Sequence, residues 1–235
     1  MKIAAIIAEY NPFHNGHKYQ IDETRKKTGA DYIVILMSGD FVQRGAPAIC
    51  NKYIRTETAL LGGADVVLEL PSLYAISSAE YFSQGAVTLL NHLGCIDYLS
   101  FGSECGDIDT LMSCADKLCH FSDAQNRLLS SLQKQGLSFP AARMQGLLTG
   151  LEPSTQKEYE LLLSSPNNIL GLEYCKSLLA SNSTISPVTI LRKGAGYHDN
   201  TVSDYSWEFS SASAMAPPIR GSVPLPNSSI MSRVE

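Results

Sequence analysis

Short and almost uninterrupted apolar segments recur along this chain, separated by stretches with helical periodicity. Five of these segments are predicted to be strands, and they cover residues 2–8, 32–37, 65–70, 97–101 and 186–191. Strands that are buried on both faces have continuous apolar runs, and they occur in parallel sheets with helices on both sides. The pattern therefore predicts an α/β fold in which a parallel sheet is flanked by helices.

The segments between the first four strands predict helices over residues 17–27, 51–61 and 77–92. Between the fourth and fifth strands the pattern is helical from about residue 107 to residue 180. We predict one catalytic domain over residues 1–216, which includes this helical portion. Residues 217–235 are rich in Pro, Gly and Ser and are predicted to be a tail without regular structure.

Hydrophobicity gives no indication of a membrane protein. No apolar run reaches the ~20 residues that a membrane-spanning helix requires. The first residues lead directly into a predicted strand and lack the apolar stretch and cleavage site of a signal peptide. We therefore expect a cytoplasmic protein that has no membrane partner.

The 235-residue chain has a formal net charge of −5, which is unevenly distributed. Residues 61–130 contain nine acidic and two basic residues, whereas residues 1–60 contain eight basic and six acidic ones. Overall charge does not indicate a nucleic-acid partner, so such a partner would need a local basic patch. The basic residues available for a patch near the N-terminus are Lys18, Arg25, Lys26, Lys27, Arg44, Lys52 and Arg55.

Cysteine spacing does not predict a metal site. The six cysteines include no Cys-x-x-Cys pair, and a zinc site would need tighter pairs than the sequence supplies. We expect no metal-ligating residues in this chain.

Residues 9–17, Glu-Tyr-Asn-Pro-Phe-His-Asn-Gly-His, lie between the first predicted strand and the first helix. Ligands of open α/β sheets bind outside the carboxyl ends of the strands, where this segment is located. A helix N-terminus adds free backbone N–H groups and a positive dipole end, which suit phosphate. Gly16 lets the backbone approach a ligand closely. His14 and His17 can then donate to phosphate oxygens as charge develops during phosphoryl transfer.

Two other interpretations of a His-x-x-His pair compete with phosphate chemistry. The histidines can be surface residues that cap a helix, or they can be zinc ligands. Zinc would need a third ligand, and the neighbouring sequence offers no obvious one. The position after the first strand and the glycine inside the pair favour phosphate.

Residues 14–17 resemble the H-x-G-H signature of the HIGH-type nucleotidyltransferase superfamily, which includes cofactor adenylyltransferases and class I aminoacyl-tRNA synthetases. Longer segments resemble the tRNA(Met) cytidine acetate ligase family. Besides residues 9–17 they are Met-Ser-Gly-Asp-Phe-Val-Gln-Arg-Gly-Ala-Pro-Ala at 37–48, Phe-Gly-Ser-Glu at 101–104 and Pro-Asn-Asn-Ile-Leu-Gly-Leu-Glu-Tyr at 166–174. The resemblance runs from residue 2 to about residue 216 and implies a Rossmann-like, HUP-type nucleotidyltransferase core.

The resemblance also implies an ATP-dependent ligase that works in two steps. Acetate attacks the α-phosphate of ATP, which gives acetyl-adenylate and pyrophosphate. N4 of the wobble cytidine in elongator tRNA(Met) then takes the acetyl group, which leaves N4-acetylcytidine and AMP. The implied co-substrate is ATP, with Mg²⁺ expected from ATP chemistry, and the implied partners are acetate and elongator tRNA(Met).

By the same resemblance, His14 and His17 are the expected catalytic residues. The expected ATP contacts are one continuous segment and four separate positions. They are Ile7, Ala8, Glu9, Tyr10, Asn11, Pro12, Phe13, His14, Asn15, Gly16, His17, Lys18, Tyr19, Gln20, Gly102, Asn167, Asn168 and Arg192.

The separate positions also have interpretations that do not depend on the family. Gly102 follows the fourth strand, where a missing side chain lets an adenosine lie against the backbone, although a plain turn fits equally. Asn167 is at a helix start, where an N-cap is expected in any case. Arg192 follows the fifth strand and can bind phosphate with two hydrogen bonds, or be a surface arginine. Gln43 and Arg44 follow the second strand and are candidates for holding acetate or pyrophosphate, with a loop salt bridge as the alternative.

Two features depart from the family pattern. Family members carry a second phosphate-binding segment of the type Ser-Ala-Thr-Ala-Ile-Arg, whereas residues 211–216 here are Ser-Ala-Ser-Ala-Met-Ala, followed by Pro217 and Pro218. Ala216 replaces the arginine, so we expect weak stabilisation of pyrophosphate unless Arg220 bends back. Family members also continue into a C-terminal tRNA-handling domain, which we expect to be absent here, with residues 217–235 as its possible start.

Two alternative functions remain open. One is a small-molecule adenylyltransferase of cofactor biosynthesis, which shares the histidine chemistry but needs no tRNA. The other is a nucleotide-binding module with impaired catalysis, suggested by Ala216. Pyrophosphate exchange that requires acetate identifies the ligase, whereas ATP binding without adenylate formation identifies the impaired module.

Overall fold

The computed structural model of the chain describes residues 1–43 and 45–192. Five strands and nine helices lie within these residues. The strands are β1 (Ile3–Ala8), β2 (Tyr32–Ser38), β3 (Val66–Leu70), β4 (Tyr98–Ser103) and β5 (Ser186–Leu191). The helices are α1 (Asn15–Thr28), α2 (Lys52–Leu61), α3 (Ser72–Ala75), α4 (Ala79–Leu93), α5 (Ile108–Cys119), α6 (Asp123–Lys134), α7 (Phe139–Leu148), α8 (Pro153–Leu162) and α9 (Pro166–Ala180).

The five strands form one parallel sheet in the order β3-β2-β1-β4-β5. The chain first moves from β1 outward to β3 and then returns to the other side of β1 for β4 and β5. The strand order therefore reverses between β1 and β4, and ligands of such sheets bind at this switch point, outside the carboxyl ends of the strands. The segment that follows β1 and the end of β4 both lie at this place.

Both faces of the sheet are covered, which explains the continuous apolar runs. On one face Ala4 and Ile6 of β1 belong to a buried cluster that also contains Ile21 of α1 and Ala59 of α2. On the other face Ala5 and Ile7 belong to a larger cluster with residues of α4, α5 and α9. Successive β1 residues thus alternate between two cores, as a strand buried on both sides requires.

The predicted fold class is confirmed, with small differences in the elements. Helix α1 begins at Asn15, two residues before the predicted start, and α3 was not predicted because four residues are too few to show a helical period. The predicted helical portion corresponds to α5 to α9. Within the described residues, no helix is long and apolar enough to cross a membrane.

Several predictions concern residues outside the part that the structure describes. They are the roles of Arg44, of residues 211–216 with Ala216, of Pro217 and Pro218, of Arg220 and of the tail at 217–235.

Candidate active site

The first turn of α1 is built around its two histidines. His14 is the N-cap, and its Nδ1 accepts a hydrogen bond from the backbone N–H of Gly16 at 3.1 Å. His17 completes a capping box, because its Nδ1 accepts from the backbone N–H of His14 at 3.2 Å. A ring nitrogen that accepts a hydrogen bond has no proton, so each neutral imidazole carries its proton on Nε2. Both side chains therefore keep one Nε2–H donor that the capping box does not use.

The two rings stack with their centroids 3.7 Å apart, and both are held neutral. Burial lowers the pKa of His14 to about 4, and the positive charge of Arg192 contributes. The pKa of His17 lies well below its ordinary value, chiefly because of burial and secondarily because of His14 and Arg192. At neutral pH the pair therefore acts through hydrogen-bond donation and not through fixed charge.

Gly16 makes room for this arrangement. A Cβ atom on Gly16 would lie 2.9 Å from Cε1 and 3.0 Å from Nδ1 of His14. Any side chain there would push the imidazole away from the amide that it caps. From the sequence, Gly16 is predicted to let a ligand approach the backbone closely. In the structure, the missing side chain also leaves space for the His14 ring.

Aromatic side chains fix the segment ahead of the histidines. The Tyr10 ring is 1% exposed, and its centroid lies 4.9 Å from that of Phe13 and 4.7 Å from that of His17. Tyr10 has a φ of 49°, in the left-handed region, which costs a non-glycine residue roughly 1–2 kcal/mol. Burial of its ring offsets that cost. Phe13 in turn packs on Gly62, where a Cβ atom would meet the ring.

Arg192 and Gly102 lie together at the neighbouring strand ends. The backbone N–H of Arg192 donates to the carbonyl of Ser103 at 3.0 Å, directly after β5. The Arg192 side chain runs past Gly102, where a Cβ atom would lie 3.3 Å from its Cγ. Its charge also acts on both histidines. The structure therefore brings Gly102, Arg192, His14 and His17 together at the switch point, although the chain separates them widely.

The two asparagines of α9 are held by Glu104, which sequence reasoning did not identify. The Glu104 carboxylate accepts from Asn167 Nδ2 at 2.6 Å and from the backbone N–H of Asn168 at 3.0 Å. In return, Asn168 Oδ1 accepts from the backbone N–H groups of Glu104 and Cys105 at 2.9 and 3.1 Å. The alternative interpretation of Asn167 as an N-cap was wrong, since Ser165 is the N-cap and makes no side-chain capping bond. Glu104 supplies the acceptor instead.

The loop after β2 is fastened to the segment after β1. The backbone N–H of Gln43 donates to Glu9 Oε1 at 2.7 Å, and that of Ile49 donates to Asn11 Oδ1 at 2.7 Å. The structure thus places Gln43 beside the predicted ATP segment. Arg44, its companion in the prediction, lies outside the described residues.

The remaining predicted ATP contacts differ in their surroundings. Ile7 is part of the apolar core, so only its backbone can face a ligand. Lys18 forms an ion pair with Asp22 at 3.0 Å on the surface of α1. Ala8 ends β1, and Asn15 is exposed in the first turn of α1. Pro12 follows Asn11 in the loop, and Tyr19 and Gln20 are half-buried in α1.

The predicted basic patch is wrong for Arg55, because that residue is 1% exposed. Four further members pair with carboxylates, in the pairs Lys18–Asp22, Arg25–Asp65, Lys26–Glu23 and Lys52–Glu69. Lys27 donates to the carbonyl of Thr189 at 3.0 Å. The surface near α1 and α2 is therefore less basic than a count of lysines and arginines suggests.

A metal site held by the protein alone would need several ligating side chains close together. No group of three His, Cys, Asp or Glu side chains in the described part of the chain is arranged to hold a metal. The two stacked imidazoles use their Nδ1 atoms for the backbone, and within residues 1–43 and 45–192 no third His, Cys, Asp or Glu side chain forms a metal-binding group with them.

Comparison with known proteins places this geometry in a family. The model of the HIGH Nucleotidyl Transferase family matches residues 1–226. The tRNA(Met) cytidine acetate ligase of Clostridium novyi is 48% identical over 223 residues, which are 94% of this chain and 54% of that protein. The protein of the same name from Caldicellulosiruptor bescii is 50% identical over 85% of this chain and 48% of its own length. The chain spans about half the length of these relatives.

Solved structures give the same result. The crystal structure of Thermotoga maritima TmcAL in an apo form is 41% identical, has a TM-score of 0.84, and is matched over 92% of this chain and 50% of that one. A second form, bound with alpha-thio ATP, has a TM-score of 0.81 at 41% identity, matched over 92% of this chain and 49% of that one. The chain therefore belongs to the HIGH nucleotidyl transferase family, as a relative of the tRNA(Met) cytidine acetate ligases.

Proposed function

We propose that this chain is the ATP-handling part of a tRNA(Met) cytidine acetate ligase. An acetate oxygen attacks the α-phosphorus of ATP, the bond to the β-phosphate breaks, and pyrophosphate leaves acetyl-adenylate behind. The N4 amine of the wobble cytidine of elongator tRNA(Met) then attacks the acetyl carbonyl. The amine loses a proton, AMP departs, and N4-acetylcytidine is formed.

The convergence of His14, His17 and Arg192 at the switch point carries this proposal. The two imidazoles each offer an Nε2–H donor, and Arg192 supplies a positive charge close enough to act on both rings. Charge builds on phosphoryl oxygens as acetate attacks, and fixed donors of this kind stabilise that charge more than the ground state. Neutral imidazoles suit the task because they can donate without repelling the arginine.

The other predicted contacts fit around that centre. The Arg192 side chain occupies the space that a Cβ atom on Gly102 would need, so this glycine lets the arginine lie close to the end of β4. An adenosine at this strand end would therefore contact Gly102 and Arg192 together. Of the two asparagines, Asn167 is half-buried while Asn168 is 3% exposed with its Oδ1 already bonded, which makes Asn167 the better candidate for ATP contact. Gln43 and Arg44 remain the candidates for acetate or pyrophosphate. Mg²⁺ would arrive with the phosphates of ATP rather than through a dedicated protein site.

The decisive experiment is exchange of labelled pyrophosphate into ATP, measured with and without acetate and followed by mass spectrometry of the products. The proposal expects exchange that requires acetate and a product with the mass of acetyl-adenylate. Exchange that requires a phosphorylated cofactor precursor instead of acetate would identify a small-molecule adenylyltransferase. ATP binding without exchange under any carboxylate would identify a binding module with impaired catalysis.

A further inference from the structure

Arg55 of α2 is a buried cation at the carboxyl edge of the sheet. Its side chain is among the largest that are fully buried, at 1% exposure, and it makes no ion pair with a carboxylate in the described part of the chain. Instead the guanidinium donates to carbonyl oxygens: Nε to Cys50 at 3.0 Å, Nη1 to Glu9 at 2.6 Å and Ser38 at 3.1 Å, and Nη2 to Gly39. Burial lowers the pKa of Arg55, while nearby carboxylates oppose that effect, and an arginine stays charged in proteins.

Three of these carbonyls, those of Glu9, Ser38 and Gly39, belong to the chain segments that build the candidate active site, whereas Cys50 lies just before α2 itself. Glu9 is the first residue after β1 and directly precedes Tyr10, whose left-handed backbone turns the chain toward the histidines. Ser38 and Gly39 are the exit of β2, from which the loop that contains Gln43 departs. One planar guanidinium therefore sets the spacing between the two loops that flank the proposed phosphate site.

We propose that Arg55 is a positioning residue for adenylation: it holds the backbone after β1 and after β2 so that the imidazole pair and the β2 loop face one ATP. The inference rests on the proposed function for its reaction, but its geometry is independent of it. A lysine keeps the charge, yet its single ammonium cannot span carbonyls that the fork of the guanidinium reaches together.

Arg25 provides a matched control at the opposite edge of the same sheet. Its guanidinium donates to the carbonyls of Asp31 at 2.7 Å and Gly63 at 3.1 Å and pairs with Asp65 at 2.8 Å. These residues precede β2 and β3, so Arg25 ties together strand starts, whereas Arg55 ties together strand ends. An arginine that only stabilises the sheet should behave alike in both positions.

The test compares Arg55→Lys with Arg25→Lys in acetate-dependent pyrophosphate exchange, with rates expressed per folded molecule and ATP affinity measured by calorimetry. Arg55→Lys is expected to slow exchange roughly 10–100-fold, as small misplacements of reacting groups do, and to weaken ATP binding by a smaller factor. Arg25→Lys is expected to retain the exchange rate and the ATP affinity of the wild type within about twofold, even if its melting temperature is lower. Equal rates in wild type and Arg55→Lys, or equal losses in the two variants, would overturn the proposal.

A second variant covers the case in which Arg55→Lys does not fold. Arg55→Ala is assayed with and without low concentrations of methylguanidinium, which can refill the vacated space. Recovery of exchange supports the proposal, whereas recovery of folding without exchange, or failure of both variants to fold under every condition, assigns Arg55 to the fold alone and overturns it. If the wild type shows no acetate-dependent exchange, the proposed function fails, and the ATP affinities of the two lysine variants still decide the role of Arg55.

Discussion

The two imidazoles of the first turn of α1 divide their nitrogens between the backbone and the proposed ligand. This division lets the two roles be separated by mutation. An asparagine at position 14 can keep the accepting atom, since asparagine is a good N-cap, and at position 17 its amide oxygen is an acceptor for the His14 N–H. Neither asparagine has a donor at the place of Nε2–H. Alanine would remove both functions at once.

The variants His14→Asn and His17→Asn are therefore expected to slow acetate-dependent pyrophosphate exchange about 100–1000-fold, the usual effect of one lost transition-state donor. ATP affinity, measured by calorimetry, should change much less. His92→Asn, an exposed position on α4, serves as the control and should retain the full rate. Wild-type exchange in both active-site variants would remove the histidines from the mechanism.

Neutral buried histidines also predict how stability depends on pH. Their pKa values in the folded chain lie below the ordinary 6.5, at about 4 for His14 and well below it for His17. In the unfolded chain both titrate near 6.5, so the unfolded state gains protons first as the pH falls. The contribution of the two neutral histidines to the free energy of unfolding should thus be constant above about pH 6.5. It should decrease as the pH falls from 6.5 toward about 4.

Urea denaturation at several pH values between 7 and 4.5 tests this expectation. Carboxylates also titrate at the acidic end, so the informative quantity is the difference between the wild type and the double variant His14→Asn/His17→Asn. The double variant should show a shallower decrease. Parallel curves for the two proteins would show that the histidines are not the groups responsible.

Single residues are also where sequence reasoning reached its limit. The positions of His14, His17, Gly102 and Arg192 at one sheet edge follow from parallel strands, because all carboxyl ends lie on the same side. Arg55 was placed on the surface because charge normally implies exposure. The sequence does show that Arg55 lies four residues before the apolar Ala59, on the same helix face. In the structure both residues are buried, while Tyr53 is 75% exposed.

At the scale of elements, the connection between β4 and α9 depends on one carboxylate. Glu104 follows β4 and accepts from the side chain and the backbone at the start of α9, where the helix leaves N–H groups unpaired. The positions of both asparagines therefore depend on an acidic residue in a different part of the sequence. Helical periodicity cannot reveal such a contact, and the alternative interpretation of Asn167 as an N-cap failed for this reason.

Glu104→Gln is expected to reduce the free energy of unfolding by about 1–3 kcal/mol, because the amide NH₂ meets a donor where an oxygen accepted before. Glu152→Gln is the matched control, since Glu152 precedes α8 without a side-chain capping bond and should change stability by less than about 0.5 kcal/mol. Urea denaturation measures both. Equal stability of the two variants would contradict the role assigned to Glu104.

Most elements were predictable from the sequence because each strand is a buried run and each longer helix repeats its apolar face. All five strands were located within about two residues of their observed bounds. The strand order was not predictable from these patterns, since an apolar run does not specify its neighbour. That order fixes the switch point and brings Arg192 toward the histidines.

At the scale of the whole molecule, electrostatics bear on the proposed tRNA partner. The chain carries a net charge of −5, and four basic residues of α1 and α2 are paired with carboxylates. Tight binding of tRNA usually draws on several phosphate contacts from lysine and arginine. Near the site, the described surface has few lysine or arginine side chains that are not already paired with a carboxylate or bonded to a carbonyl.

We therefore expect this 235-residue chain to bind tRNA weakly and in a salt-sensitive manner while binding ATP measurably. A gel-shift titration at low and at moderate salt measures the first, and calorimetry with ATP on the same preparation is the control for folding. Tight binding that resists moderate salt would show that the phosphate contacts lie within this chain after all.

The last described strand has a consequence for the order in which the protein matures. β5 is at the edge of the described sheet, pairs with β4 alone, and ends directly before Arg192, whereas the histidines follow the central strand β1. During synthesis the imidazoles are therefore made first, and their cationic companion emerges only after some 170 further residues. Under the proposed function a bound nucleotide contacts residues that follow the first and the last of the described strands. Nucleotide binding is therefore expected to slow hydrogen exchange in β5 and to stabilise only those chains in which β5 has paired with the sheet.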